Sequence, residues 1–223
     1  MADFRTHLGV AVAGGALLGF AGWQATELSA TEAASLAVLT AVGGILPDID
    51  ADNSHAIRLI FNLFAVLTVV GGALLLQGRL SPGAIVVACG GLYIGVRYAL
   101  SAVFKRFSVH RGIWHSLLAS LLCGLATTAA GYQWFSQSAW LAWAQGLALI
   151  LGTLIHLLLD ELYSVDLTGA RLKRSFGTAF KLFDYREPVN SVLMLASAAA
   201  LIPWLPPWPP LRELLAQGSA LWR

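Results

Sequence analysis

Histidines and aspartates gather at four places in this chain, each beside the end of an apolar run: His7; Asp48, Asp50 and Asp52; His110 and His115; and His156 with Asp160. Ionisable groups beside hydrocarbon are expensive and mark functional sites by default. Imidazole and carboxylate are also the ligands that zinc, manganese and iron prefer. The pattern points to a metal centre at a membrane surface. His156 and Asp160 stand four apart in a helical stretch and so project from one face; the bland alternative is a helix-end pair. Asp48, Asp50 and Asp52 alternate after Pro47, and in an extended segment alternate residues face one side. Three close carboxylates repel without a cation nearby, with Asp48 and Asp50 the preferred ligands; the alternative is a solvated acidic loop. His110 and His115 bracket a helix entry, with Gly112 supplying the backbone freedom for a turn. Ser116 suits a helix cap or a ligand support. Arg111 between the two histidines fits two roles equally: orientation by positive charge, or a bidentate clamp on phosphate or carboxylate. His55 has no spaced partner and reads as a loop histidine.

Seven donors result: His7, Asp48, Asp50, His110, His115, His156 and Asp160. That exceeds one tetrahedral site and suits two divalent ions bridged by a carboxylate, zinc first, with manganese or iron as alternatives. Two metals about 3.5–4 Å apart activate a water and hold both oxygens of a displacement. No nucleophile elbow and no Ser-His-Asp order is visible, so water is the expected nucleophile. Asp50 and Asp160 have an alternative role as proton acceptors. Arg111, with Lys105 or Arg106, is placed to stabilise developing negative charge.

The elements that must position these groups are apolar helices. The chain has 223 residues, 57% hydrophobic and only 12% charged, with mean hydropathy +0.71, against about a quarter charged in soluble domains. The expected fold is an all-α polytopic membrane bundle of about seven transmembrane helices. They run near Leu8 to Ala25, Glu32 to Leu46, Ile57 to Leu76, Pro82 to Phe104, Trp114 to Tyr132, Ala139 to Leu159 and Val189 to Leu205. The first is read as a span and not as a removable leader, and the second is at the short limit for crossing. Residues 1–206 are expected to form one domain and 207–223 a short tail with an interfacial helix near Leu211 to Trp222.

Basic residues set the orientation. Lys105, Arg106 and Arg111, then Arg171, Lys173, Arg174, Lys181 and Arg186, fall on one side with Arg5 and Arg58. Only Arg79, Arg212 and Arg223 fall opposite. The N-terminus is then cytoplasmic, and all seven candidate ligands land at cytoplasmic helix ends. Gly15 and Gly19, and Gly91 and Gly95, have helix-packing spacing. Trp134, Trp140, Trp143, Trp204 and Trp208 suit an aromatic belt. Cys89 and Cys123 read as packing thiols. A net charge of +2 with no basic stripe argues against nucleic acid as a partner.

The set Leu46-Pro47-Asp48-Ile49-Asp50, His110-Arg111-Gly112-Ile113-Trp114-His115-Ser116 and His156-Leu157-Leu158-Leu159-Asp160, after His7, resembles the YdjM-like family of bacterial inner-membrane metal-dependent hydrolases. The chain departs from that family's pattern at Trp114, where threonine is usual, and at Tyr163-Ser164, where Thr-Pro is usual. The resemblance implies an enzyme of the inner (cytoplasmic) membrane. More distantly, the histidine-rich set is similar to zinc-dependent phospholipase C and the P1-type nucleases, which implies phosphoester hydrolysis. The expected substrate is a lipid or other amphiphilic phosphate, met among membrane lipids at the cytoplasmic face. Three alternatives stand beside it: a lipid amidase of similar zinc chemistry, a metal or proton transporter, and a non-catalytic scaffold with a structural metal.

Overall fold

A computed structural model describes residues 3–25, 28–50, 54–107, 112–166, 171–172, 177, 180–185 and 187–220. They are predominantly helical and cluster into two compact units, residues 1–47 with 113–223, and residues 48–112.

The first unit holds α1 (Phe4–Ala25), α2 (Ala30–Gly43), α6 (Leu117–Gln133), α7 (Ala139–Leu162), α8 (Pro188–Ala200) and α9 (Pro209–Ala220). Each start is written locally. Ser29 and Glu32 cap α2 reciprocally, Glu32 accepting from the Ser29 amide at 2.8 Å, and Ser138 accepts from the Leu141 amide to begin α7. α7 is the axis, packing against α1, α2, α6 and α9. Close approach depends on glycine. A methyl added at Gly152 would collide with the Thr40 carbonyl, one at Gly43 with the Leu149 carbonyl, and one at Gly15 with the Ala37 carbonyl. Leu36, Ala144 and Ala148 form a small apolar core between α2 and α7, flanked by Leu214 of α9. Gln145 Nε2, within this interior, donates to Ser35 Oγ at 2.9 Å.

The second unit holds α3 (His55–Leu76) and α4 (Pro82–Ile94), which continues through a π turn (Gly95–Leu100) into α5 (Ser101–Phe107). Ser54 and Ser81 cap α3 and α4, and Pro82 occupies the first turn of α4.

The expectation of about seven spans meets a stricter measure here. Among the described residues, four helical stretches are long and apolar enough to cross a membrane: Phe4–Ala25, His55–Leu76, Pro82–Arg106 and Ala139–Leu162. The count becomes five if α8 and α9, bent by 111°, form one broken span. α2 has 14 residues, about 21 Å of helix against about 30 Å of hydrocarbon, and α6 has 17. The fifth expected helix begins at Leu117 and not at Trp114, because Ser116 is its cap. The C-terminal helix forms two residues earlier than expected and folds back on α7. Trp143 is therefore buried, 3% exposed, and not part of an exposed belt. Its Nε1 donates to the Pro207 carbonyl at 3.0 Å, and its ring lies 5.2 Å from that of Trp208. Cys89 and Cys123 are free thiols, both partly buried.

The polar stretch after α7 contains a two-residue antiparallel pairing, Val165 opposite Leu172 and Asp166 opposite Arg171. Further along, the Lys181 and Leu182 carbonyls accept from the Leu117 and Leu118 amides. Those amides belong to the first turn of α6 and have no partner within the helix, so this segment satisfies them and fixes the turn that precedes α6.

Candidate metal centre

Three elements of the first unit deliver four ionisable side chains to one point. Asp3 starts α1 by accepting from the Thr6 amide at 2.8 Å, which places His7 on the first turn. His115 sits in the turn before α6, where Ser116 donates to the Ile113 carbonyl and accepts from the Ala119 amide. His156 and Asp160 come from consecutive turns near the end of α7. The four side chains are 0–3% exposed.

Asp160 is the hub. Its Oδ1 lies 3.2 Å from His7 Nε2, and its Oδ2 lies 3.8 Å from His115 Nε2 and 3.9 Å from His156 Nε2. The His7 and His156 rings stack in parallel, centroids 3.7 Å apart and planes within 12°, while His115 meets His156 edge to face at 5.5 Å. His156 Nδ1 lies 2.8 Å from the Gly44 carbonyl oxygen. A carbonyl only accepts, so Nδ1 carries the proton and Nε2 presents a lone pair toward Asp160. Gly44 can come this close because α1 crosses it at Ala11, where a methyl on Gly44 would collide with the alanine side chain.

The lone pair of His156 Nε2 therefore faces a buried carboxylate. The approach of His7 Nε2 misses hydrogen-bond geometry, which leaves both Asp160 oxygens buried without a donor. Two buried lone-pair bearers facing each other are unstable unless a cation or proton lies between them. Donor atoms of His7, His156 and Asp160 all lie within 4.8 Å of one another. Donors sharing one tetrahedral ion at about 2.0–2.1 Å sit about 3.3 Å apart. The residues present fit a borderline-soft divalent ion, and a carbonyl behind one histidine is the usual orienting partner of a ligating imidazole.

The family model of the YdjM inner membrane protein matches residues 1–174. The chain belongs to this family. No curated protein and no solved structure matches it. Membership and the apolar helices together make it an inner membrane protein. The matched stretch encloses all four converging side chains and ends inside the polar stretch after α7, so α8 and α9 lie beyond it.

The other expected ligands stand differently. Asp48 and Asp50 open the second unit within a 3-10 turn, Pro47–Asp50, and not in an extended segment. At three residues per turn, side chains two apart point about 120° away from each other, so the expected alternation onto one side does not apply to this pair. Asp50 is buried and Asp48 partly so, and the Asp48 carbonyl accepts from the α3 cap Ser54 at 3.0 Å. His55 is exposed as expected, but begins α3 and is not in a loop. Asp52, His110 and Arg111 lie outside the described residues. The sequence reasoning missed the Gly44 carbonyl. Spacing alone cannot say which carbonyl a distant imidazole will meet.

Proposed function

We propose that this family member is a metal-dependent hydrolase whose first unit holds a divalent ion, zinc in the first instance, on His7, His115, His156 and Asp160. The observation that carries this reading is the convergence of three imidazole nitrogens on one buried, donor-free carboxylate. When bound, such an ion supplies Lewis-acid polarisation of a phosphoryl or carbonyl oxygen and acidifies water. The Gly44 carbonyl fixes the tautomer of His156, the α6 cap fixes His115, and Asp160 supplies the charge that retains a cation. In this reading seven helices cross or enter the bilayer with the N-terminus in the cytoplasm. The site then opens at the headgroup level of the inner leaflet, and the substrate is an amphiphilic phosphoester. Arg111, as the proposed clamp on a phosphate, favours phosphoester over amide cleavage.

One observation favours a second reading, a structural ion tying helix ends together. Donor atoms of His7, His156 and Asp160 lie mutually within 4.8 Å; with His115 as the fourth, the shell would be closed, and closed shells are structural where open ones are catalytic. Elemental analysis of purified protein comes first: at least one transition metal per chain is expected, and more than one if Asp48, Asp50 and His110 add a second ion. Protein without stoichiometric metal, equally in wild type and His156→Ala, overturns both readings. Paired assays of phosphoester-linked and amide-linked lipids then separate them. Metal-dependent turnover of the phosphoester supports hydrolysis, and bound metal without turnover of either lipid supports the structural role.

A further inference from the structure

Arg97 is, among the described residues, the cation placed deepest within an apolar span. It lies about 14 Å along the helix from Arg106 and about 22 Å from Pro82, at 1.5 Å per residue. That depth exceeds the reach of the side chain, so snorkelling does not bring the guanidinium to a headgroup at either edge. The helix widens to a π turn over Gly95–Leu100 at this level, a distortion frequent at functional sites. Tyr93, one turn earlier on the same side, donates its hydroxyl to Asn62 Oδ1 of α3 at 2.7 Å. Asn62 is exposed, and Arg97 and Tyr93 are partly exposed. The guanidinium lies 5.3 Å from the Tyr98 ring centroid, which neutralises no charge.

Because Tyr93 occupies the Asn62 oxygen, this ridge offers donors outward: the Arg97 guanidinium and the Asn62 amide group. The only described carboxylates of this unit, Asp48 and Asp50, precede α3. The helices α3, α4 and α5 carry no carboxylate, so the described residues of this unit offer Arg97 no counter-charge within the span. An arginine inside a membrane pairs with an acceptor at its own level.

We propose that the Asn62–Tyr93–Arg97 ridge is an intramembrane docking site for a transmembrane helix that carries a carboxylate at the depth of Arg97. The missing charge defines the partner's chemistry. A lipid phosphate meets the charge requirement but not the depth.

The full-length protein in nanodiscs tests this against a fluorescent, single-span apolar peptide with one central aspartate, read by energy transfer. Saturable association is expected for the aspartate peptide and not for its leucine counterpart. Arg97→Leu should weaken it about tenfold or more, and Arg97→Lys should retain part of the affinity. Equal association of the two peptides overturns the proposal without relying on any protein variant, as does unchanged affinity in Arg97→Leu. Displacement of the peptide by added phosphatidylglycerol in the wild type assigns the ridge to lipid and also overturns it.

Discussion

Two spans of this protein are alike in length and apolarity and opposite in surroundings. In the most apolar stretch of α7, 67% of residues are buried; in the Pro82–Arg106 span none is. Hydropathy therefore reports only that a helix tolerates hydrocarbon. What separates the two is where small and polar residues fall. α7 presents Gly146 and Gly152 to neighbouring backbones and pairs Gln145 with Ser35. It ends in His156 and Asp160, which α1 and the α6 turn enclose. Gly90, Gly91 and Gly95 of the other span meet nothing within 4 Å. In lipid, association rests on close packing and interhelical hydrogen bonds instead of a hydrophobic drive. The helix with close backbone contacts is the one that becomes a core.

Metal removal should break this contrast most strongly. An ion held well below its free concentration stabilises the unit that binds it by about 4 kcal/mol at a thousandfold excess over Kd. Chelation of the wild type should therefore raise hydrogen exchange in the last turns of α7 and the first turn of α1, leaving α4 unchanged. Asp160→Asn should reproduce the pattern without chelator. Equal effects in both spans, or none, contradict an ion confined to the first unit's cluster.

Matched glycine substitutions come next. Gly152→Ala places a methyl against the Thr40 carbonyl and the Gly44 amide. It should destabilise by about 3 kcal/mol through overpacking against backbone. The same change at Gly91 meets open space and should be neutral or stabilising by up to about 1 kcal/mol, through helix propensity. Thermal unfolding in detergent checks both. Because Gly44 carries the carbonyl that orients His156, Gly152→Ala should also lower metal affinity, whereas Gly91→Ala should not.

How much of this was legible from sequence depends on how local the determinant is. The four-residue spacing of His156 and Asp160 and the Ser116 cap are determined within a turn of helix, and the chain displays them directly. The gathering of His7 and His115 on that pair was inferred from the side of the membrane each helix end should occupy, a long-range argument that needed only approximate helix ends. Asp48 and Asp50 were misjudged in local conformation. Alternation has a geometric meaning only once a segment is known to be extended, and Pro47 begins a 3-10 turn instead. Trp143 was misjudged because its burial depends on α9 returning across a 111° bend, which nothing near Trp143 encodes. Helix length was readable for α2, but whether 14 residues cross or enter a bilayer depends on neighbours that composition does not specify.

A smaller effect sharpens the comparison from the second unit. Tyr93→Phe removes the hydrogen bond to Asn62 and little else. Interhelical hydrogen bonds within membranes average about 0.6 kcal/mol, so the loss should be near that value. A much larger loss, measured by forced or steric-trap unfolding in bicelles, would mean that the α3–α4 pair depends on this ridge as the first unit depends on its cluster.

The smallest expected effect lies at the start of α1. The Asp3 carboxyl is held below its ordinary value by its hydrogen bonds with Thr6, the side-chain contribution being the larger and the backbone one next. A depressed carboxylate stabilises the fold at pH above its unfolded value, and that contribution fades as pH falls through the lower folded value. The difference in melting temperature between wild type and Asp3→Asn should therefore be constant from neutral pH down to about 5 and then shrink as pH falls below the ordinary carboxylate value. Asp3 is fully exposed, so added salt should reduce the difference further. A gap that grows on acidification would mean that Asp3 acts through the His7 cluster and not as a cap on its own helix.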